Sequence, residues 1–373
     1  MEQSIQNPKS KIQNAGWTDQ PTAVRVGEEL DTERLQAYLN ERLPGGEGTL
    51  VVEQFPKGFS NLTYRIRFGA RDLVLRRPPF GVTIKTAHDM GREYKILSHL
   101  SPVYPKAPRP LLYCDDASVL GAPFYVMERV EGIILRPSMP AEMIPPPEAM
   151  ARIAEAFVET FAALHAVDYE AAGLGDLGRP QGYVQRQIEG WTKRYRRART
   201  DEIPEIERVA AWLAEHRPRE ASRALIHNDF KYDNLMLASD DWARVVAVLD
   251  WEMATLGDPL MDLGTTLAYW VDADDPPAMH QLRLSPTTLP GNPTRVELVE
   301  RYAQKSGRDV GKVVFYYVYG LFKLAVIIQQ IYYRYQQGHT QDPRFARLID
   351  NVRGCGHVAA QAIRKGRLDR LFA

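Results

Sequence analysis

Leu35, Tyr38, Leu39 and Leu43 recur at helical spacing, so the first predicted element is a helix, with Asp31 placed to cap it and Pro44-Gly45-Gly46 to end it. The period then shortens. Thr49 to Phe55, Leu62 to Phe68 and Leu73 to Arg76 are short strand-like runs, joined by turn-prone segments at 56–61 and 69–72. A helix from about Thr86 to Leu100 and strands at Leu111 to Cys114 and Phe124 to Val130 complete a set of strands around one helix. Beyond Glu131-Gly132 the texture becomes helical. Met150, Ile153, Phe157, Phe161 and Leu164 share one face, and Val313 to Tyr335 reads as an aromatic-rich buried helix. One β-rich island, Ala224 to Asp250, interrupts this half. The pattern predicts an α+β chain with a flexible lead-in at 1–28, a small β-rich N-lobe at 29–130 and a larger, mostly helical C-lobe at 131–373.

Composition narrows the classes. The 373 residues carry 47 basic and 47 acidic side chains, so no global charge draws the chain to nucleic acid. Two cysteines, Cys114 and Cys355, are too few for a disulfide framework or a thiolate metal site and fit a reducing, cytoplasmic setting. Met1 to Asp19 is polar, without the apolar segment of a secretory signal. The apolar stretch Val313 to Ile331 contains Lys323, Gln329 and Gln330, which suits a buried helix better than a membrane span. Neither nucleic acid nor membrane is expected as a partner, and oligomeric state leaves no signature.

Chemistry concentrates in the island. His227-Asn-Asp229-Phe-Lys-Tyr-Asp-Asn234 precedes an apolar strand, Leu235 to Leu237; a turn at Ser239-Asp240-Asp241 leads to a second, Val245 to Leu249, which ends at Asp250-Trp251-Glu252. A hairpin returns its two ends to one place, so Asn234 and Asp250 become neighbours. Both offer the oxygen ligands that Mg2+ requires, and so small a protein shell leaves room for phosphate and water oxygens. Asp229, five residues ahead of Asn234, lies within reach of a substrate hydroxyl. Phosphoryl transfer asks little covalent chemistry of a protein, so one orienting carboxylate and a bound metal suffice. Glu93 shares the inward face of its helix with Ile96, Leu97 and Leu100, and an inward carboxylate needs a cation.

His227-x-Asp229-x4-Asn234 followed by an apolar strand ending in Asp250 resembles the paired catalytic-loop and metal-loop motifs of kinases, and His-Asn-Asp resembles the aminoglycoside phosphotransferase and choline kinase branch. The resemblance spans about residues 28 to 360 and implies a bilobal protein-kinase-like fold. It implies Asp229 as catalytic base, Asn234 and Asp250 on Mg2+, and His227 as scaffold of the loop. Gly58, Ser60 and Asn61 take the place of a phosphate-covering turn. Met127, Glu128 and Val130 take that of the hinge against which the base of ATP or GTP lies. Arg76 stands where the family normally has a lysine that pairs with the helix carboxylate, here Glu93. Asp258 is expected to cap a helix opened by Pro259, and Asp262 to brace the catalytic loop, both as structural support. His165 is expected to be a packing residue. Leu-Arg-Arg-Pro-Pro (75–79), His-Asn-Asp and Asp-Trp-Glu are most similar to the kinase-like domains fused to acyl-CoA dehydrogenases, which implies a hydroxyacyl-type acceptor.

Two other functions compete. An aminoglycoside kinase would need carboxylates at its acceptor site, and the C-lobe offers Asp272, Asp274 and Asp275. The same lobe carries the basic run Lys193-Arg-Tyr-Arg-Arg-Ala-Arg199, which is either a solvated helix face or suited to an anionic acceptor. A catalytically weak nucleotide-binding scaffold is the third reading. It would be expected to lose Asp229, Asn234 or Asp250, and all three are present.

Overall fold

Alternating strands joined by tight turns build an antiparallel sheet in the order β1-β2-β3-β5-β4, from β1 (Leu50–Gln54), β2 (Leu62–Phe68), β3 (Arg71–Arg77), β4 (Pro110–Cys114) and β5 (Phe124–Glu128). The computed structural model describes residues 20–43, 48–56, 61–81, 89–218, 222–282 and 284–372. Because side chains alternate across a strand, Leu73 and Leu75 of β3 enter one apolar layer while Val74 and Arg76 face the other side. The first layer lies under α1 (Thr32–Arg42), whose cap is the expected Asp31, accepting from Arg34 N at 3.0 Å. The second lies under α2 (Met90–Leu100) and faces the C-lobe. Asp89 caps α2 by accepting from Arg92 N at 2.9 Å; the expected start at Thr86 and the stop at Pro44-Gly45-Gly46 fall outside the described residues.

Two boundaries differ from expectation. Thr22 exchanges backbone hydrogen bonds with Gln54, and the Tyr64 hydroxyl donates to Glu28 O at 2.7 Å, so residues 22–28 dock along the sheet instead of forming a loose lead-in. Strand β5 stops at Glu128, not Val130. The short helix α3 (Ala117–Leu120) fills the β4–β5 connection.

The C-lobe is built from α4 (Pro147–His165), α5 (Tyr183–Ala198), α6 (Pro204–Glu215), α7 (Pro259–Ala268), α8 (Pro277–Leu282), α9 (Arg295–Ser306), α10 (Val313–Gln336) and α11 (Leu348–Lys365). Helix α10 is long and apolar enough to cross a membrane, yet it is mostly buried among α5, α7 and α11. The β-rich island resolves into two ribbons. β7 (Leu235–Leu237) pairs with β8 (Val245–Val248), as the hairpin reading requires, with a bulge between Met236 and Leu237. β6 (Ala224–Ile226) pairs with β9 (Thr255–Gly257), a three-residue strand with no sequence period long enough to reveal it.

Helices α7 and α10 meet backbone to backbone. A Cβ added to Gly320 would lie 1.9 Å from Gly264 O, and one added to Gly264 would lie 2.0 Å from Tyr316 O. Only glycine permits that approach. Arg295 is buried at the start of α9, with Nη2 2.8 Å from Asp275 and Nε 3.4 Å from Asp272. Two of the three carboxylates proposed for a polycationic acceptor, Asp272 and Asp275, are therefore consumed internally, and Asp274 is exposed. Asp272 is pushed up to about 6 by burial, with Arg295 opposing the rise.

Gly320→Ala is expected to destabilise the protein by about 3 kcal/mol or more, since overpacking against a backbone oxygen has no side chain to displace. Urea denaturation of the purified variant reads this directly. An unchanged midpoint would mean that the helices separate freely.

Candidate active site

Between the lobes lies a cleft of about 190 Å3 whose lining includes Arg76, Glu93, Met127, Val130, Asn234 and Asp250. The hairpin places the last two together, as Leu249 N donates to Asn234 O at 2.8 Å immediately before Asp250. The amide nitrogen of Asn234 donates to Asp229 O at 2.8 Å and to Asp229 Oδ2 at 2.9 Å. That leaves the amide oxygen, the atom a hard cation takes, for the cleft. The donor set therefore fits Mg2+ as an open, two-residue site. Among the described residues no cluster of three or more His, Cys, Asp or Glu forms a closed metal cage.

Asp229 sits at the end of a tightly held loop. His227 Nε2 lies 2.9 Å from Leu249 O, and Asp229 N approaches His227 Nδ1 at 3.3 Å, so the ring bridges the two segments. Asp262 accepts His227 N at 2.6 Å and Asn228 N at 2.8 Å, and its Oδ2 also meets His165 Nε2 at 3.2 Å. His165 in turn contacts the Tyr302 hydroxyl at 2.7 Å and is pushed below the usual histidine range by burial, so it is a neutral brace. Asp258 caps α7 through Leu260 N at 2.9 Å and accepts the Tyr316 hydroxyl at 2.9 Å. Asn228 and Asp250 adopt left-handed backbone, with φ of 66° and 65°, a conformation that Asn and Asp tolerate best among residues with a Cβ.

Sequence reasoning missed Lys231. Its Nζ lies 3.0 Å from Asp229 Oδ2 and 5.1 Å from the Tyr269 ring centroid. Burial favours a neutral Asp229, but Lys231, the His227 ring and the Tyr269 hydroxyl outweigh it and hold the carboxyl below its usual range. Lys231 stood inside the motif, yet its spacing from Asp229 carried no signal of which way its side chain turns.

Arg76 and Glu93 form the expected buried pair at 2.6 Å. The guanidinium also reaches Asp250 Oδ1 at 3.2 Å and Glu252 at 3.9 Å, contacts with no counterpart in the sequence reading. Burial raises Glu93 above the usual carboxylate value, with Arg76 opposing. Burial also works against the Arg76 charge, but the acids around it, Glu93 foremost, hold it well above the ordinary value. Asn61 is buried, and its Nδ2 donates to Glu252 Oε2 at 2.8 Å, tying β2 to the metal-loop side of the cleft. Gly58 and Ser60 lie outside the described residues. Met127 and Val130 line the cleft. The Glu128 N–H, however, is already donated to Arg109 O at 2.9 Å, so only its carbonyl remains as a base-edge contact at that residue.

The Phosphotransferase enzyme family matches residues 51–297. Acyl-CoA dehydrogenase family member 11 of Rattus norvegicus is 37% identical over 319 residues, covering 83% of this chain and 40% of that protein. The chain spans less than half the length of the curated relatives it matches. A solved Ralstonia eutropha protein, described as a candidate aminoglycoside phosphotransferase, shares 32% identity at a TM-score of 0.77, covering 90% of this chain and 99% of its own. The aminoglycoside phosphotransferase APH(4)-Ia, solved with AMP-PNP and hygromycin B, shares the fold at a TM-score of 0.54 and 17% identity, covering 86% of this chain and 98% of its own.

Replacing Arg76 by Met should cost about 3–5 kcal/mol at neutral pH, because Glu93 is left buried and charged. The folded pKa of Glu93 is raised, so protonation favours the folded state: the loss should shrink as pH falls below that raised value. Adding Glu93→Gln should recover much of the stability. Denaturation curves of the three variants across pH read this, and equal losses at all pH would show that Glu93 is not the group left uncompensated.

Proposed function

The chain belongs to the Phosphotransferase enzyme family, and from that premise we propose that it moves the γ-phosphoryl group of ATP or GTP to a hydroxyl of a small molecule. The observation that carries this reading is the run of contacts from Asp229 through Asn234 to the strand end before Asp250, with Asn234 and Asp250 lining one cleft. Asp229 accepts the proton of the attacking hydroxyl. Its lowered pKa keeps it ionised, and Lys231 orients it. Mg2+, held by Asn234 and Asp250, would supply charge neutralisation on the phosphate oxygens. Arg76, steadied by Glu93, binds the α- and β-phosphates through its planar fork, and Asn61 with Gly58 and Ser60 covers them. Met127, the Glu128 carbonyl and Val130 border the base. A fold neighbour solved with AMP-PNP supports a nucleoside triphosphate as donor.

For the acceptor we favour a hydroxyacyl-type metabolite, supported by relatives that bear acyl-CoA dehydrogenase names. An aminoglycoside is disfavoured because Asp272 and Asp275 are committed to Arg295. A catalytically weak scaffold would have no use for a base held ionised by its own lysine. The two buried, free cysteines support a reducing cytoplasmic setting.

Phosphate-transfer profiling of the purified chain against hydroxy acids, their thioesters and aminoglycosides tests the acceptor class. In the same assay Asp229→Asn should lower turnover by about 10^2 to 10^4-fold and leave nucleotide affinity within a few-fold. Near-normal turnover removes Asp229 from its role.

The acidic limb of kcat/KM should lie below the ordinary aspartate value of 3.8, because only the ionised base works and its pKa is depressed. Lys231→Met should move that limb to higher pH. A limb that stays put in the variant would show that Lys231 does not hold the base.

A further inference from the structure

A second cavity, of about 390 Å3, opens on the C-lobe beside the catalytic loop, with Arg179, Arg186, Arg194, Lys323, Trp191 and Asn228 in its wall. The basic run singled out in the sequence contributes only Arg194. Lys193, Arg196 and Arg197 are solvent-exposed elsewhere on α5, and Arg199 pairs with Glu207 at 3.5 Å. The remaining cations come from separate places: Arg179 from the loop before α5, Arg186 from its first turn and Lys323 from α10. Tyr183, Arg186, Gln187, Trp191 and Arg194 form one helical stripe facing the cavity.

What sets this group apart is that four cations face one cavity without counter-ions. Among the described residues none of the four cations has a carboxylate ion-pair partner. Arg186 donates to the carbonyls of Arg179 and Gln181, Arg194 lies 4.6 Å over the Trp191 ring, and Lys323 donates to Asn228 O at 2.8 Å. Lys323 is the telling member, being only 2% exposed. An ammonium carries three donors, and a buried one with one carbonyl acceptor and the Trp191 ring centroid 5.9 Å away is short of acceptors. Of the other deeply buried cations, Arg76 and Arg295 each have two or more acids, while Arg77 donates to Pro78 O at 3.1 Å and lies 3.6 Å over the Phe80 ring.

We propose that this cavity is an anion-binding subsite on the acceptor side, where Arg179, Arg186, Arg194 and Lys323 hold a carboxylate or phosphate carried by the acceptor. Calling it the acceptor side rests on the phosphotransferase reading, whereas anion binding does not. Position supports the link. Asn228 forms part of the cavity wall and immediately precedes Asp229, and Lys323 holds its carbonyl while Asp262 holds its N–H. An anion seated here therefore lies one residue from the base. Burial pushes Lys323 down to about 8; Asp229 and Asp262 raise it, while Lys231 and Arg194 lower it. The lysine grips an anion only when protonated, so its share of the binding is present below about 8 and is lost as pH rises through it, while the arginines stay charged.

The probe is inorganic phosphate, titrated calorimetrically into the full chain without turnover. Wild type should bind it, Arg179→Ala/Arg194→Ala should weaken binding by about tenfold or more, and Arg196→Ala/Arg197→Ala, on the solvent-exposed part of the same helix, should leave it unchanged. Arg179 and Arg194 are both exposed, so their double variant keeps the fold even if Lys323→Met does not. Lys323→Met, where it folds, should flatten the pH dependence near 8. Unchanged binding in Arg179→Ala/Arg194→Ala, or an equal loss in Arg196→Ala/Arg197→Ala, overturns the subsite. Asp229→Asn separates the two readings, since it stops transfer and leaves phosphate binding intact. In transfer assays Arg179→Ala/Arg194→Ala should raise KM for the acceptor class whose anion sits here, and leave KM for nucleotide unchanged. A rise for free hydroxy acids marks the carboxylate, a rise for phosphate-bearing thioesters marks the phosphate, and a rise for neither overturns the acceptor assignment.

Discussion

The carboxylate of Asp262 is fully buried, and its two oxygens meet the backbone N–H groups of His227 and Asn228 and the His165 ring. A carboxylate in that position persists only if its lone pairs are filled, so the loop must turn both amides toward α7. Doing so drives Asn228 into left-handed backbone and turns the next residue, Asp229, out of the core. The His227 ring then spans from Asp229 N to Leu249 O, joining the base-bearing loop to the strand that delivers Asp250. One buried acid on one helix thus sets the separation between the residue assigned to the hydroxyl and those assigned to the metal.

The nucleotide side depends on a different balance. Glu93, Asp250 and Glu252 converge from α2 and the metal loop, and three acids so close would repel one another in a half-buried cleft. A guanidinium answers this better than an ammonium. Its planar fork spans Glu93 on one nitrogen and Asp250 on another, where a lysine is a single compact charge. Arginine at this position is therefore a departure from the family pattern that the surrounding acids accommodate. Asn61, bonded to Glu252, closes the same network from β2.

Features with a period or a cap were legible in the sequence. Asp31 and Asp258 cap the helices expected of them, Glu93 points inward, and the hairpin brings Asn234 and Asp250 to one cleft. Features that depend on meetings between distant segments were not. Strand β9 is too short to show alternation, Lys231 required knowing a side chain's direction, and the second cavity brings Lys323 of α10 to arginines at and before α5. Asp272 and Asp275 misled because composition cannot distinguish an exposed acid from one already neutralised by Arg295 inside the core.

The contact of α7 with α10 has a bearing on how such a protein diversifies. Helix α7 carries Asp262, which sets the base, while α10 carries Lys323 three residues beyond the glycine at the crossing. Because the two helices touch through main chain at Gly264 and Gly320, their spacing is insulated from the volume of the side chains on either side. Substitutions at the exposed arginines of the cavity change charge and shape without prising the catalytic loop from Asp262. The chain separates a part that must stay constant from a part free to drift, and a pair of hydrogen atoms in place of methyl groups marks the border between them.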